Sequence, residues 1–288
     1  MASTLQRKKK LTLAVVGGGP TGVELAGAMV ELSQSTLSGD FRYVQPAEVR
    51  VVLIEGGDRL LAGMCEASGR EAQRALEERG VEIILNRMAR EIDERGVHLD
   101  DRVVEAETVV WAAGVQASGL TESLDVSKDG AGRIIVNSDC SLPRYANVFA
   151  IGDVARFNTD DGPLPGVSPV AMQQGRYVAK KIVRSINGRS TKPFRYSNKG
   201  SMAAIGRRQA VADILGRTIT GYPAWLAWLF VHLFFLVGFK NRVFVLFQWI
   251  GAYVFESRGA RLITHRDRTS RFEGTKKGFD VDGAARSA

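Results

Sequence analysis

The chain has 288 residues, 45% of them apolar and 24% charged, which is enough for one large core or two modest ones and excludes wholesale disorder. Its two cysteines, Cys65 and Cys140, form no Cys-x-x-Cys pair, and its three histidines, His98, His232 and His265, lack metal-ligand spacing. This argues against a zinc site or a dithiol reductase and for a reducing compartment, while the formal charge of +8 leaves an anionic partner to be found.

Leu11 to Val16 reads as a first strand running into Gly17-x-Gly19-x-x-Gly22, and Val23 to Leu32 as the helix that follows. Ser33 to Ala47, polar and holding Gly39 and Pro46, is expected to be a loop. Val49 to Ile54 is a second strand ending at Glu55, Glu66 to Arg79 an amphipathic helix stopped by Gly80, and Val81 to Leu85 a third strand. Short alternating segments over 88–106 predict a small antiparallel meander, and Thr108 to Trp111 another strand leading into Ala112-Ala113-Gly114. Strands alternating with helices imply a parallel, doubly wound α/β sheet. Beyond Val115, strands are expected at Arg133 to Val136 and Val148 to Ile151, then a helix over Ser168 to Ile186 with Pro169 in its first turn. A polar linker, Asn187 to Lys192, precedes a region whose runs Tyr222 to Phe239 and Val243 to Phe255 are strongly apolar. The tail from Arg266 is polar.

The strand, glycine turn and helix form the cradle of a dinucleotide diphosphate. Gly17 lets the chain turn, Gly19 lets the backbone approach phosphate, and Gly22 lets the helix pack on the strand. The helix N-terminus then offers N–H groups and a positive dipole end to the anion. Glu55, at the end of the second strand, is placed to accept from a ribose 2′-OH, which favours NAD over NADP, although Arg59 lies close by. Glu24 falls in the predicted first helical turn, where the dipole alone would stabilise a carboxylate. Asp153 follows a strand end and a glycine, a position that faces the ligand crevice or simply caps a helix.

Several blocks together resemble the type II NADH dehydrogenases, flavoproteins with two dinucleotide-binding domains. They are Val-Val-Gly-Gly-Gly-Pro-Thr-Gly-Val-Glu-Leu-Ala-Gly (15–27), Val-Leu-Ile-Glu-Gly-Gly-Asp-Arg-Leu-Leu (52–61), Trp-Ala-Ala-Gly-Val (111–115) and Asn-Val-Phe-Ala-Ile-Gly-Asp-Val-Ala (147–155). Pro-Val-Ala-Met-Gln-Gln-Gly-Arg-Tyr-Val-Ala (169–179) and Phe-Arg-Tyr-Ser-Asn-Lys-Gly-Ser-Met-Ala-Ala-Ile-Gly-Arg (194–207) are the more specific ones. The resemblance implies an FAD-dependent NADH:quinone oxidoreductase that passes hydride from NADH to FAD and electrons on to a membrane quinone. The loop Gly17, Gly18, Gly19, Pro20, Thr21 and Gly22, with Glu55, would hold NADH, and Ala113 and Gly114 would line the nicotinamide side. Glu24 would lie near nicotinamide and flavin. Gly152, Asp153 and Ala171 would bind FAD, Gln173 and Gln174 would approach the isoalloxazine and the quinone, and Lys199 would lie near the quinone entrance. No metal is expected.

The implied organisation is a Rossmann-like NAD(H)-binding domain over 1–114, the returning part of a FAD-binding domain over 115–192, an apolar membrane-anchoring, quinone-proximal region over 193–265, and a polar tail over 266–288. The family opens with a FAD-binding half carrying its own glycine motif, and no second such motif occurs here, so the chain resembles a C-terminal portion of the enzyme. The expected partners are a membrane lipid surface, a quinone, an N-terminal FAD-binding fragment and a second copy of the chain. No nucleic-acid motif occurs. Basic clusters around Arg207 and Arg208 and from Arg258 to Arg271 flank the apolar runs, which suits an anionic membrane surface. Trp225, Trp228 and Trp249 suit an interfacial rather than a spanning anchor, on the cytoplasmic face of the inner (plasma) membrane. An NADH-binding module or inactive fragment without turnover, or another FAD-dependent NAD(P)H reductase, is the alternative.

Overall fold

The computed structural model describes residues 4–40, 45–236 and 238–254. These form two compact units, one made by the chain up to Ala113 together with the chain from Lys199 onward, the other by Gly114–Asn198. The tail from Arg266, the basic run from Arg258 to Arg271, His265 and Phe255 lie outside the described residues.

The first unit begins with α1 (Thr4–Lys10), β1 (Thr12–Val16), α2 (Pro20–Asp40), β2 (Arg50–Ile54), α3 (Glu66–Glu77) and β3 (Val81–Ile84). The meander β4 (Ala89–Asp93), β5 (Gly96–Leu99), β6 (Val103–Glu105) follows, then β7 (Thr108–Trp111). β1, β2, β3 and β7 make a parallel sheet in the order β3-β2-β1-β7, with Val15 of β1 level with Leu53 and Val110. Both faces are covered. Val15 and Leu53 pack with Val23, Ala26 and Val30 of α2 and Ala72 and Leu76 of α3, while Ala14, Val16 and Ile54 pack under Val97, Leu99 and Val104 of the meander. Two-sided burial is why these strands read as unbroken apolar runs. The stretch expected to be a loop from Ser33 is instead helical as far as Asp40. Ser33 is buried and its hydroxyl donates to the Val30 carbonyl at 2.8 Å, so a residue of low helix propensity is satisfied inside the helix.

The Gly114–Asn198 unit contains β8 (Ile134–Ile135), β9 (Ser141–Leu142), β10 (Tyr145–Phe149), β11 (Ala155–Arg156), β12 (Asn158–Thr159), β13 (Gly162–Pro163) and α4 (Ser168–Ile186). They pair only two by two: β9 with β10, β8 with β11, β12 with β13. The strand expected over Arg133 to Val136 shrinks because the Asp129 carboxylate takes the Arg133 N–H at 2.9 Å and its guanidinium at 2.7 Å. The one expected over Val148 to Ile151 is displaced to Tyr145–Phe149, since the chain turns at Gly152 (φ +66°). The helix Ser168–Ile186 has the expected bounds, with Pro169 in its first turn. Phe194 closes the core, its ring edge-on to Phe157 at 5.3 Å and to Tyr177 at 5.4 Å.

The first unit resumes with β14 (Ser201–Gly206), β15 (Gln209–Ile214) and β16 (Arg217–Thr220), an antiparallel sheet, and ends with α5 (Gly221–Phe235) and α6 (Phe239–Val254). β15 alternates: Val211 faces the α2–α3 cluster, Ala210 and Ala212 face Ala224 and Trp225 of α5. Asp213 of the same strand accepts the Cys65 N–H and the Ser68 hydroxyl, each at 2.7 Å, at the N-terminus of α3. Those bonds and one from Thr218 outweigh partial burial and hold its carboxyl below the usual aspartate range. Among the described residues no helix is long and apolar enough to cross a membrane.

Candidate dinucleotide site

The turn after β1 is built by exclusion. At Gly17 φ is +113°, and a Cβ there would stand 2.7 Å from the Ala112 carbonyl carbon. A Cβ on Gly22 would meet the Gly17 carbonyl oxygen at 1.7 Å, so α2 can begin at Pro20 only if that position is bare. Gly19 is different: a Cβ there would have nothing within 4 Å. The fold does not need a glycine at 19, and the open space above it lies at the start of α2, where first-turn N–H groups point outward. Pro20 and Thr21 are exposed beside it.

The neighbouring strand ends complete the rim. The Gly17 N–H donates to Ile54 O at 2.8 Å and the Ala112 N–H to Val16 O at 2.7 Å, which brings Glu55 and Ala113 to the edge of the turn. The Glu55 carboxylate is engaged there, accepting the Gly18 N–H at 2.5 Å and the Gly57 N–H at 2.7 Å. Leu61 N–H donates to Gly18 O at 2.8 Å, fastening the segment after β2 to the loop. Arg59 stays within that segment, donating to Ala62 O at 2.7 Å and Met64 O at 3.1 Å. Both bonds turn the Arg59 guanidinium back onto its own segment.

Glu24 lies in the second turn of α2, one turn later than the sequence spacing implied, because the helix starts at Pro20. Its Oε1 accepts the Ala204 N–H of β14 at 3.1 Å and the Trp228 indole N–H of α5 at 3.0 Å. It belongs to a stripe. A Cβ on Gly27 would stand 1.8 Å from Ile205 O, and Glu31 accepts the Arg207 N–H, so positions 24, 27 and 31 all read the backbone of β14 and of the residue just after it. The sequence pattern set Trp228 at the lipid interface and missed its bond to Glu24. An indole inside an apolar run needs an acceptor, and that need was the available signal. Lys199 is exposed at the start of the segment leading to β14.

In the Gly114–Asn198 unit a second group of expected residues gathers on one turn and one helix. Gly152 donates its N–H to Gln174 Oε1 at 2.7 Å, and a Cβ on Gly152 would lie 3.2 Å from the Ala171 Cβ. Gln174 is 1% exposed, whereas Asp153 is exposed. Gln173 is held at both ends of its amide by one residue: it donates to Ser197 O and accepts the Ser197 N–H, both at 3.0 Å. Gly114 is exposed with φ +81°. Among the described residues no cluster of His, Cys, Asp and Glu could hold a metal ion.

A parallel sheet with a glycine turn at its carboxyl edge marks a dinucleotide-binding fold, and residues 2–175 match the pyridine nucleotide-disulphide oxidoreductase family; the chain belongs to it. Residues 198–258 match the NDH2 C-terminal domain, which sets the chain on the type II NADH dehydrogenase branch of that family. Two Mycobacterium tuberculosis proteins, the type II NADH:quinone oxidoreductases NdhA and Ndh, are 39% and 38% identical to it over 98% of this chain. The chain spans 62% and 64% of their lengths. An internal alternative NAD(P)H-ubiquinone oxidoreductase of Arabidopsis thaliana is 31% identical over 87% of this chain and 52% of its own. The solved structure of NDH2 from Plasmodium falciparum in complex with NADH superposes with a TM-score of 0.79 at 17% identity, over 88% of this chain and 67% of that one, a likeness of fold.

Proposed function

We propose that this chain binds NADH at the turn after β1 and serves an FAD-dependent NADH:quinone oxidoreductase, the activity its relatives are named for. The observation that carries the reading is Gly19. It is bare without a steric reason inside the protein, while its neighbours Gly17 and Gly22 are bare because the fold demands it. A diphosphate approaching the backbone supplies the missing reason.

In this reading Gly17 to Gly22 receive the diphosphate, and Glu55 turns one carboxylate oxygen from its loop amide to the adenosine ribose. Ala113, Gly114 and Glu24 belong to the nicotinamide end. Gly152, Asp153 and Ala171 hold FAD, with the buried Gln174 fixing the Gly152 turn and Gln173 fixing Ser197. Bound FAD would accept hydride from NADH and give up two electrons to a quinone. The chain's own part is to orient the groups it holds and to keep water from them. Lys199 serves the quinone entrance.

The apolar end is read as a lipid-surface anchor on the cytoplasmic side of the plasma membrane. Phe230 and Phe234 on α5 and Phe244 and Phe247 on α6 are 67%, 57%, 60% and 68% exposed, rings that water does not favour. At 15 residues α5 reaches about 22 Å against a hydrocarbon core of about 30 Å, too short to cross as a single helix.

Calorimetric titration of the full chain with NADH tests the reading. Binding is expected, weakened at least tenfold by Gly19→Ala with no change in melting temperature. A Gly19→Ala chain that binds as well as wild type, or a folded wild type that gives no heat, would sink it. NADH binding by protein that stays colourless after incubation with FAD would favour a binding module over the enzyme.

A further inference from the structure

Trp228 sits where an apolar helix meets the dinucleotide helix. Its indole N–H donates to Glu24 Oε1 at 3.0 Å, on the oxygen that also takes the Ala204 N–H at 3.1 Å. The indole is fixed from its other sides. Its ring stacks on Trp249 of α6 at 6.1 Å, and the His232 ring lies against it at 4.3 Å, tilted by 31°. His232 in turn sits one helical turn on, its Nδ1 2.7 Å from the Trp228 carbonyl oxygen. Since that oxygen only accepts, Nδ1 carries the proton, and the imidazole is held against the indole face.

The acid at the other end of this bond is equally constrained. Gly27, one turn further along α2, brings the helix to backbone contact with β14, so Glu24 cannot retreat from the strand without parting that seam. A half-buried carboxylate in such a place is costly unless its lone pairs are used. The strand supplies one donor and α5 the other. The strand donor is main chain, fixed by the sheet. The indole comes from a separate element, the helix whose outer face carries Phe230 and Phe234.

We propose that Trp228 is a positioning residue: its indole N–H sets where the Glu24 carboxylate lies, and so ties an acid of the NADH site to the apolar helix α5. The proposal rests on the reading of Glu24 as part of the nicotinamide end. Glu24 is the group next to the chemistry; Trp228 acts only through it. Whatever shifts α5 on its seat against β15, a lipid surface drawing on its outer rings above all, thereby also moves Glu24.

The experiment uses the full chain labelled with ¹⁵N at its four tryptophans, Trp111, Trp225, Trp228 and Trp249, in detergent micelles. Trp228→Phe keeps an aromatic ring for the stack and removes the donor, and its spectrum identifies the Trp228 indole signal by absence. In the otherwise wild-type chain that signal is expected to move in the isosteric variant Glu24→Gln, and to move again when NADH is added. In FAD-loaded protein Trp228→Phe should lower kcat by about the same factor as Glu24→Gln, of order tenfold for a charge-assisted bond, with KM for NADH within about twofold. The double variant should be no slower than Glu24→Gln alone, as expected for two groups acting through one bond.

An indole signal that ignores Glu24→Gln overturns the proposal, and if Trp228→Phe fails to fold the signal is assigned by elimination from Trp111→Phe, Trp225→Phe and Trp249→Phe. Wild-type kcat in Trp228→Phe beside a slow Glu24→Gln also overturns it. A signal that responds to Glu24→Gln in protein whose kcat does not respond supports the tether and removes Glu24 from the nicotinamide end, so the two readings fail separately.

Discussion

The two units hold themselves together by opposite means. The first has a parallel sheet buried on both faces and a second sheet packed against its helices, so its core is continuous and mostly aliphatic. The unit over Gly114–Asn198 has no sheet wider than two strands. Its order comes from a few anchors: the long helix α4, the aromatic trio of Phe157, Tyr177 and Phe194, and the Asp129 carboxylate, which collects Ala131 and Arg133 N–H groups and two guanidinium groups. A distributed core tolerates the loss of one member, whereas an anchored one fails where an anchor is cut.

The sharpest way to break this contrast is Phe194→Ala. The ring is buried against two others, and its removal should cost about 3–5 kcal/mol in urea unfolding. The cysteines report it. Cys140 is buried in the same core with its thiol pushed up to about 12, by burial first and by Asp139 second, so it should resist thiol reagents at pH 8 in the native chain. In Phe194→Ala it should label, with exposed Cys65 as the internal reference. Protection of Cys140 in that variant would mean the second unit is more distributed than its strands imply.

Gly22→Ala is the matching cut in the first unit. Here a single methyl lands 1.7 Å from a carbonyl oxygen, and the helix must shift, at about 1–3 kcal/mol. NADH binding should be lost while the sheet survives, a result readable by calorimetry beside circular dichroism. Survival of binding would show that the turn can relax.

The smallest effect is the acid response of Asp213. Its folded pKa is depressed, so its contribution is full above the unfolded value near 4 and fades as pH falls through the lower folded value. Asp213→Asn should therefore lose about 1–2 kcal/mol at pH 7, and its gap to the wild-type chain should close on acidification through that range, while both share the decline from other depressed carboxylates such as Asp129 and Asp139. Parallel curves for the two proteins would assign the acid sensitivity elsewhere.

What could be read from residues alone follows from how local each cause is. The glycine turn, the apolar runs of β1 and β2 and the span of α4 are written in adjacent positions, and they stand as expected. The sheet β14-β15-β16 went unread because three of its five buried positions are Ala203, Ala210 and Ala212, residues with little strand preference, and only Ile205 and Val211 carry a strand signal. The alanines are small because helices pack close on both sides, which no local pattern announces. Helix α2 was cut short for the converse reason: Ser33 looked like a breaker and is satisfied within the helix. Asp129 and Asp213 act through partners that only the folded chain supplies.

Cys65 and Asp213 are 148 positions apart, yet one holds the other's amide at the head of α3. During synthesis that helix leaves the ribosome long before the strand that finishes it. For that interval the nascent chain carries an uncovered greasy flank on α2 and α3, with Ala203, Ile205 and Val211 still to be made. At roughly 5–20 residues per second the wait lasts on the order of ten seconds. Chaperone occupancy on stalled nascent chains should therefore peak between the emergence of α3 and that of β15.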